Sequence, residues 1–379
     1  MAVPHASVVS ISYEEILADT TPPSMCTRLS NAYGYDGPGL LVVTGVPGFV
    51  EARAACLPLA RTFGTLPEAV RARYERPASY YAFGWSHGKE ALEGKYDFAK
   101  GSYYANPTYD EPPATPEERA AFPASLDANV WPSEEDCPGF ESAFKVLSRL
   151  IVDVGRHLAR HCDAYVEEQL SRLSSSTAAS VVTESHTLAR IVTNGHSHKA
   201  RLLFYFPVAG TPTDEPELSD VSVSSHCGWH NDHGSLTGLT SAVYYDADGI
   251  EVPCPDPRAG LYVRARRGDL LRVAIPPDAI AFQIGEAAQI HSGGVLQATP
   301  HCVRAPAHAP GVCRATMAVF MQPDHGVDMA QPEGADSALV LRAAQGELLP
   351  RGVPTLASRW RGASQSFGAF ADASIKAYL

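Results

Sequence analysis

With 379 residues, 45% of them hydrophobic and 19% charged, the chain is long enough for one large domain or two ordinary ones and needs neither disulfides nor a structural metal to build a core. The formal net charge of −12 argues against nucleic acid or an anionic membrane as the main partner, although one local arginine can still hold a small anion. Eight scattered cysteines with no Cys-x-x-Cys pair read as free thiols in a reducing compartment, and neither a signal-peptide pattern nor an apolar run of membrane-spanning length is present, so a cytoplasmic protein is expected.

In chain order, Val8, Val9 and Ile11 predict a short strand, followed by an amphipathic helix near 13–33 and a buried strand over 39–44 bracketed by Pro38 and Gly45. A helix is predicted from about 51 to 63. The tyrosine-rich stretch 74–109 has few periodic signals and reads as a long loop region of the kind that lines sites. Thr115-Pro116-Glu117-Glu118 is a helix start, with Thr as cap, Pro in the first turn and Glu three residues on. Between 138 and about 170, Phe140, Phe144, Leu147, Ile151, Val154 and Leu158 recur at three- and four-residue steps, the stripe of a helix packed on something flat. The serine-rich piece around 171–176 is a loop.

After Leu188 the pattern changes to short apolar or alternating runs punctuated by Gly, Pro and Asp, at 201–206, 239–245, 261–264, 270–275, 279–284 and 314–321. Repeated short strands predict an antiparallel sandwich or barrel. The expected fold is mostly β with a helical N-terminal part: a double-stranded β-helix (jelly roll) core flanked by α-helices. A single domain over 1–379 is expected, with a helical part at 1–187, a catalytic core at 188–325 and a helical tail at 326–379 packed on the outside.

Residues two apart on a strand share a face, so His230 and Asp232 look the same way, as do Arg314 and Thr316. Two histidines and a carboxylate on one face of an iron leave its other positions open, the arrangement of non-haem Fe(II) oxygenases. An arginine beside a hydroxyl suits a carboxylate anion. A lone His-x-Asp is weak evidence among 14 histidines and 42 acidic residues; this one precedes an apolar strand and is followed later by a histidine and Arg314-Ala315-Thr316. His291 and His301 both lie in that interval. Arg304 competes with Arg314, but Arg304 sits in an irregular run before Pro306, whereas Arg314 begins a clean alternating strand. His226 and His230 have the spacing of helical zinc ligands, against which Gly228 and the strand context argue. His196-Ser197-His198, with no partner carboxylate nearby in sequence, reads as a loop; His308 and His325 read as solvated loop residues; Cys227, Cys302 and Cys313 read as packing. A Gly-x-Ser-x-Gly elbow, a P-loop and a dinucleotide fingerprint are absent.

Trp229-His230-Asn231-Asp232-His233-Gly234-Ser235-Leu236-Thr237, then Gly268-Asp269-Leu270-Leu271 to Ile284-Gly285-Glu286, then Arg314-Ala315-Thr316 to Phe320-Met321-Gln322-Pro323 resemble the motifs of the Fe(II)/2-oxoglutarate-dependent oxygenases of the isopenicillin N synthase-like (clavaminate synthase-like) group. The stretch 40–48 is similar to that family's early strand and following loop. The resemblance implies Fe(II) held by His230, Asp232 and His301, because Ser292-Gly293-Gly294 corresponds to the family's turn, Val295 to Pro300 to the strand after it, and His301 falls in the ligand's place; His291, just before the turn, is then structural. It further implies 2-oxoglutarate as co-substrate on Arg314 and Thr316, molecular oxygen and a small organic molecule as the other substrates, succinate and carbon dioxide as products, and ascorbate as an optional reductant. Three departures stand out: Glu286 for the usual Asp, Cys302 after the second histidine, and Phe204-Tyr205-Phe206-Pro207 where relatives carry co-substrate-binding Asn and Tyr. In that register the Phe rings face inward as core, and Tyr205 receives no role. Two further readings follow: an iron oxidase independent of 2-oxoglutarate, with Arg314 on a substrate carboxylate, and a jelly-roll binding protein without turnover. The substrate is not legible; walls from 80–109 and from loops near Trp229 are expected.

Overall fold

A computed structural model describes residues 6, 8–89, 91–92, 95–173, 182–207, 226–266, 268–307, 309–342 and 349–378. Its strands in chain order are β1 (Val9–Ser12), β2 (Leu40–Thr44), β3 (Gly84–His87), β4 (Ala91–Leu92), β5 (Lys95–Tyr96), β6 (Lys100–Ala105), β7 (Lys199–Tyr205), β8 (Cys227–His230) and β9 (Leu236–Thr240). There follow β10 (Val243–Tyr245), β11 (Glu251–Val252), β12 (Gly260–Arg264), β13 (Leu270–Val273), β14 (Ala279–Ile284), β15 (His301–Arg304) and β16 (Cys313–Met321). The major sheet runs β1-β2-β14-β9-β16-β7-β6-β3, with β10 and β11 attached to β16; the minor sheet runs β13-β12-β15-β8. Neighbours pair antiparallel except β1 with β2. A small cavity lined from both sheets shows that they face one another.

The major sheet sorts its side chains by strand alternation. Leu41 and Val43, Ile280, Phe282 and Ile284, Leu202 and Phe204, and Met317, Val319 and Met321 point to one face and join the main hydrophobic cluster. The long helix Phe140–Leu173 lies on that face, and all six residues of its predicted stripe are buried in the same cluster. The opposite face carries Arg201, Leu203 and Tyr205, Thr237 and Leu239, and Arg314, Thr316 and Ala318, which line the space between the sheets. Helix and sheet approach so closely at Gly238 that a Cβ there would lie 2.2 Å from Ile151 Cγ2. Gly238→Ala is expected to lower the unfolding free energy by about 1–3 kcal/mol, since added carbon in a packed core forces side chains off their rotamers; urea denaturation measures it.

Several expectations need correction. The helix near 13–33 is two helices, Tyr13–Ile16 and Pro23–Tyr33. Consecutive prolines at 22 and 23 disfavour helical backbone before them and remove an N–H, so the chain breaks and restarts there. The tyrosine-rich stretch contains β3 and β6, and β6 pairs with β7 from Lys100–Tyr205 to Ala105–Ala200. Its alternation is written in Tyr, Ser and Gly, which aliphatic periodicity does not register. Residues 295–300 form no strand: Gly293 and Gly294 turn the chain with φ of 63° and 82°, and side chains serve the following backbone, Gln289 Oε1 accepting from Ala298 N at 2.8 Å. Arg304 closes strand β15 instead of lying in irregular chain. Of the serine-rich piece, 171–173 complete the long helix and 174–176 lie outside the described residues, as does His308. All eight cysteines are unpaired, and among the described residues no helix is long and apolar enough to cross a membrane.

Candidate metal centre

His230 ends β8 and His301 begins β15, and the antiparallel ladder sets them directly opposite each other. Their rings lie 4.2 Å apart, centroid to centroid. Asp232 enters from the loop after β8. Its Oδ1 stands 3.8 Å from His230 Nε2 and 3.9 Å from His301 Nε2, and one ligand atom from each of the three falls within 4.8 Å of the others. Those distances exceed hydrogen bonds; the three side chains converge without bonding one another and would hold a shared cation.

The far side of every ligand is fixed by the chain. His230 Nδ1 donates to the carbonyl of Gly228 at 2.8 Å; against burial, Cys227 and Asp232 push the ring up to about 9, so a cation bound at Nε2 has to displace a proton. His301 Nδ1 lies 3.2 Å from the carbonyl of Thr299 and 2.5 Å from the carboxamide of Gln283. With the Gln283 oxygen turned to the ring, it accepts the Nδ1 proton and ceases to be an unpartnered buried carbonyl. Asp232 Oδ2 accepts from the Thr237 hydroxyl at 2.7 Å. Burial opposes charge on Asp232, but His301, His230 and Thr237 hold its carboxyl below the usual carboxylate range. Burial and neighbouring His230 push His301 down to about 4. Near neutral pH the site therefore offers an anionic oxygen and a neutral imidazole, the protonation states that bind a cation. Gln283→Leu is expected to weaken metal affinity about 10–100-fold, as changes behind a ligand do, read by equilibrium dialysis against Fe(II) or Mn(II).

Glu286, the residue that departs from the usual Asp, holds the ligand loop. Both its oxygens accept from Arg359, each at 2.6 Å; Oε1 also accepts from Asn231 Nδ2 at 3.1 Å. Asn231 stands between His230 and Asp232, and its backbone N–H donates to the Tyr378 hydroxyl at 3.0 Å. The tail thus reaches the centre instead of only packing outside.

A cavity of about 100 Å³ runs between the sheets from the three clustered side chains to Arg314. Arg314 is buried, its guanidinium stacks 4.7 Å above the Tyr205 ring, and its Nε and Nη1 find no hydrogen-bond partner among the described residues. Thr316 lines the same space, with its hydroxyl donating to the Thr240 carbonyl at 3.0 Å. The donor set of this pocket fits a dianion: groups able to bind a metal at one end, a planar cation with unused donors at the other.

Phe204 is core, as expected, but Tyr205, to which the sequence assigns no role, holds the cavity-facing position. Phe204 packs under the helices, while Arg201, Leu203 and Tyr205 look into the cavity. Lys199 and Arg201 carried the missed signal, since charged residues at odd positions mark the face that cannot lie under a helix. Cys227 also lines this cavity, while Cys302 and Cys313 are buried packing residues. His291 is structural: its Nε2 donates to the Asp328 carbonyl at 3.0 Å and its ring stacks on His186 at 4.4 Å. His196 does have a carboxylate, Asp324, at 2.8 Å, distant in sequence. A second, wider cavity of about 470 Å³ opens on the other side of His230 and Asp232, walled by the stretch around Tyr81, by Phe320 and by the C-terminal helix Phe367–Ala377.

No family model and no curated protein matches the sequence. Solved structures do. A protein described as a 2OG-Fe(II) oxygenase family member from Caulobacter crescentus superposes with a TM-score of 0.62 at 17% identity, over 98% of this chain and 99% of that one. A full-length Neurospora crassa protein in complex with alpha-KG gives 0.61 at 18% identity, over 98% and 96%. JOX2 in complex with 2OG, Fe and JA gives 0.56 at 17% identity, over 93% and 82%. The chain therefore has the fold of the 2-oxoglutarate- and iron-dependent oxygenases.

Proposed function

We propose that the protein is an Fe(II)- and 2-oxoglutarate-dependent oxygenase of the isopenicillin N synthase-like group, oxidising a small organic substrate in one domain whose facing sheets are the double-stranded β-helix. One observation carries the reading: a pocket between the sheets with His230, Asp232 and His301 at one end and the unused donors of the Arg314 guanidinium at the other. The Neurospora crassa protein bound to alpha-KG and JOX2 bound to 2OG and Fe support it through their shared fold. His230, Asp232 and His301 would hold the iron, and Arg314 the distal carboxylate of 2-oxoglutarate, with Thr316 and Tyr205 shaping the wall between. When bound, iron and co-substrate supply the oxidising power, with succinate and carbon dioxide released. The chain supplies position and dryness: the two sheets keep water from the co-substrate, and the wide cavity brings the organic substrate past His230 and Asp232. That Tyr205 faces the pocket beside Arg314 supports the 2-oxoglutarate reading over an oxidase independent of it. Eight unpaired thiols support a reducing, cytoplasmic setting.

Anaerobic addition of Fe(II) and 2-oxoglutarate is expected to give a weak visible charge-transfer band, and admission of air to give succinate. Oxygen uptake that ignores 2-oxoglutarate would overturn the assignment, as would absence of both band and succinate.

A further inference from the structure

The wide cavity carries its own chemistry, and Lys199 is its most informative residue. Lys199 opens β7 on the face it shares with Arg201 and lines the cavity, though only 8% exposed. Its Nζ donates to the carbonyls of Ala82 at 2.9 Å and Ala124 at 3.2 Å and stands 3.2 Å above the centre of the Phe83 ring. An ammonium has three protons, and those carbonyls take two. Burial pushes Lys199 well below the usual lysine range, against the pull of Asp127. Among the described residues no carboxylate forms an ion pair with it. A buried cation without a counter-ion is costly, and the cavity is the side from which an anion can reach it.

The rest of the lining agrees. Lys89, Lys199 and Arg201 line the cavity, and among the described lining residues Asp232, which belongs to the metal centre, is the one carboxylate. Lys89 is paired with Glu75 at 3.2 Å, which leaves Lys199 as the buried lining lysine without an ion-paired carboxylate among the described residues. The remaining wall is largely aromatic, including Tyr81, Phe320 and Phe367. Tyr80 and Tyr81 both adopt left-handed backbone, with φ of 53° and 60°. Non-glycine residues hold that conformation only where the surroundings impose it; Lys199 bonds the carbonyl of the next residue, Ala82.

We propose that the substrate is a small carboxylic acid with an apolar body, and that Lys199 is the specificity-determining residue that takes its carboxylate. The inference rests on the wide cavity being the substrate site of the proposed oxygenase. With two carbonyls and the Phe83 ring already around Nζ, the site suits a single monoanionic charge; a phosphate dianion calls for more donors than Lys199 offers. The apolar body then lies among the aromatic side chains, toward His230 and Asp232.

The test measures binding instead of turnover. Phenylacetate, 3-phenylpropanoate and cyclohexylacetate are titrated calorimetrically into the full-length metal-free protein, each beside its own primary amide. The acids are expected to bind at least tenfold tighter than the amides. Lys199→Met is expected to abolish that preference and Lys199→Arg to keep most of it. Equal or undetectable binding of acids and amides by the wild type overturns the proposal whether or not Lys199→Met folds, and so does an acid preference that survives in a folded Lys199→Met. Preference without any succinate formation leaves this inference standing and removes the oxygenase reading; succinate formation without preference does the reverse.

Discussion

Asp232→Ala is expected to reduce metal-dependent turnover by more than about 10³-fold, since alterations merely behind a ligand already cost 10–100-fold. Asp232 is the one anionic donor of the three, and its Oδ1 is the atom both imidazoles face, at 3.8 and 3.9 Å. Without it a dication would meet two imidazoles and no anion. The same substitution removes a buried carboxylate, so the metal-free chain should stay folded; the Thr237 hydroxyl loses its acceptor, a cost of about 1–3 kcal/mol. Metal content, the anaerobic Fe(II)–2-oxoglutarate band and succinate release should fall together while the far-ultraviolet circular dichroism is unchanged. A variant that kept the band and the turnover would remove the carboxylate from the centre. Asp232→Glu, longer by one methylene, should retain metal more weakly and turn over slowly, because the carboxylate no longer meets both the metal and Thr237 in the same geometry.

How far the sequence foretold this centre differs from part to part, for physical reasons. His230 and Asp232 are two residues apart at a strand end, so their common direction followed from backbone alternation alone. His301 lies far beyond Asp232 in the chain, and only the pairing of β15 with β8 brings it there; position along a family motif stood in for a contact that periodicity cannot show. The long helix was legible because its apolar stripe repeats over many turns, which no strand of four or five residues can match. What stayed hidden depends on long-range pairing or on side chains that look ordinary in sequence. Gln283 sits in an apolar strand, and its work behind His301 exists only once β14 lies beside the metal. The bond from Asn231 to Tyr378 spans 147 positions. Tyr205 was within reach: in Lys199-Ala200-Arg201-Leu202-Leu203-Phe204-Tyr205 the two charges fix which parity faces away from the helices, a stronger constraint than the likeness of neighbouring aromatic residues to a family motif.

Arg314→Met is expected to raise the KM for 2-oxoglutarate by about 10²–10⁴-fold, because removing one partner of a buried ion pair costs about 3–5 kcal/mol, with kcat changed much less. A lysine supplies a point charge without the planar fork, so Arg314→Lys should fall between. Stability gives an independent check on the same charge. Free of co-substrate, the wild type holds a buried guanidinium whose Nε and Nη1 lack partners, a state that Met avoids; Arg314→Met should therefore melt at or above the wild-type temperature when no 2-oxoglutarate is present. Added co-substrate stabilises only the state it binds, by about 2.7 kcal/mol at a hundredfold excess over Kd, so in the presence of metal and millimolar 2-oxoglutarate the order should invert. A crossing of the two melting curves with co-substrate concentration ties the Arg314 charge to an anion in that pocket, which a general packing defect could not produce. Parallel curves, or an unchanged KM, would move the co-substrate's distal carboxylate elsewhere.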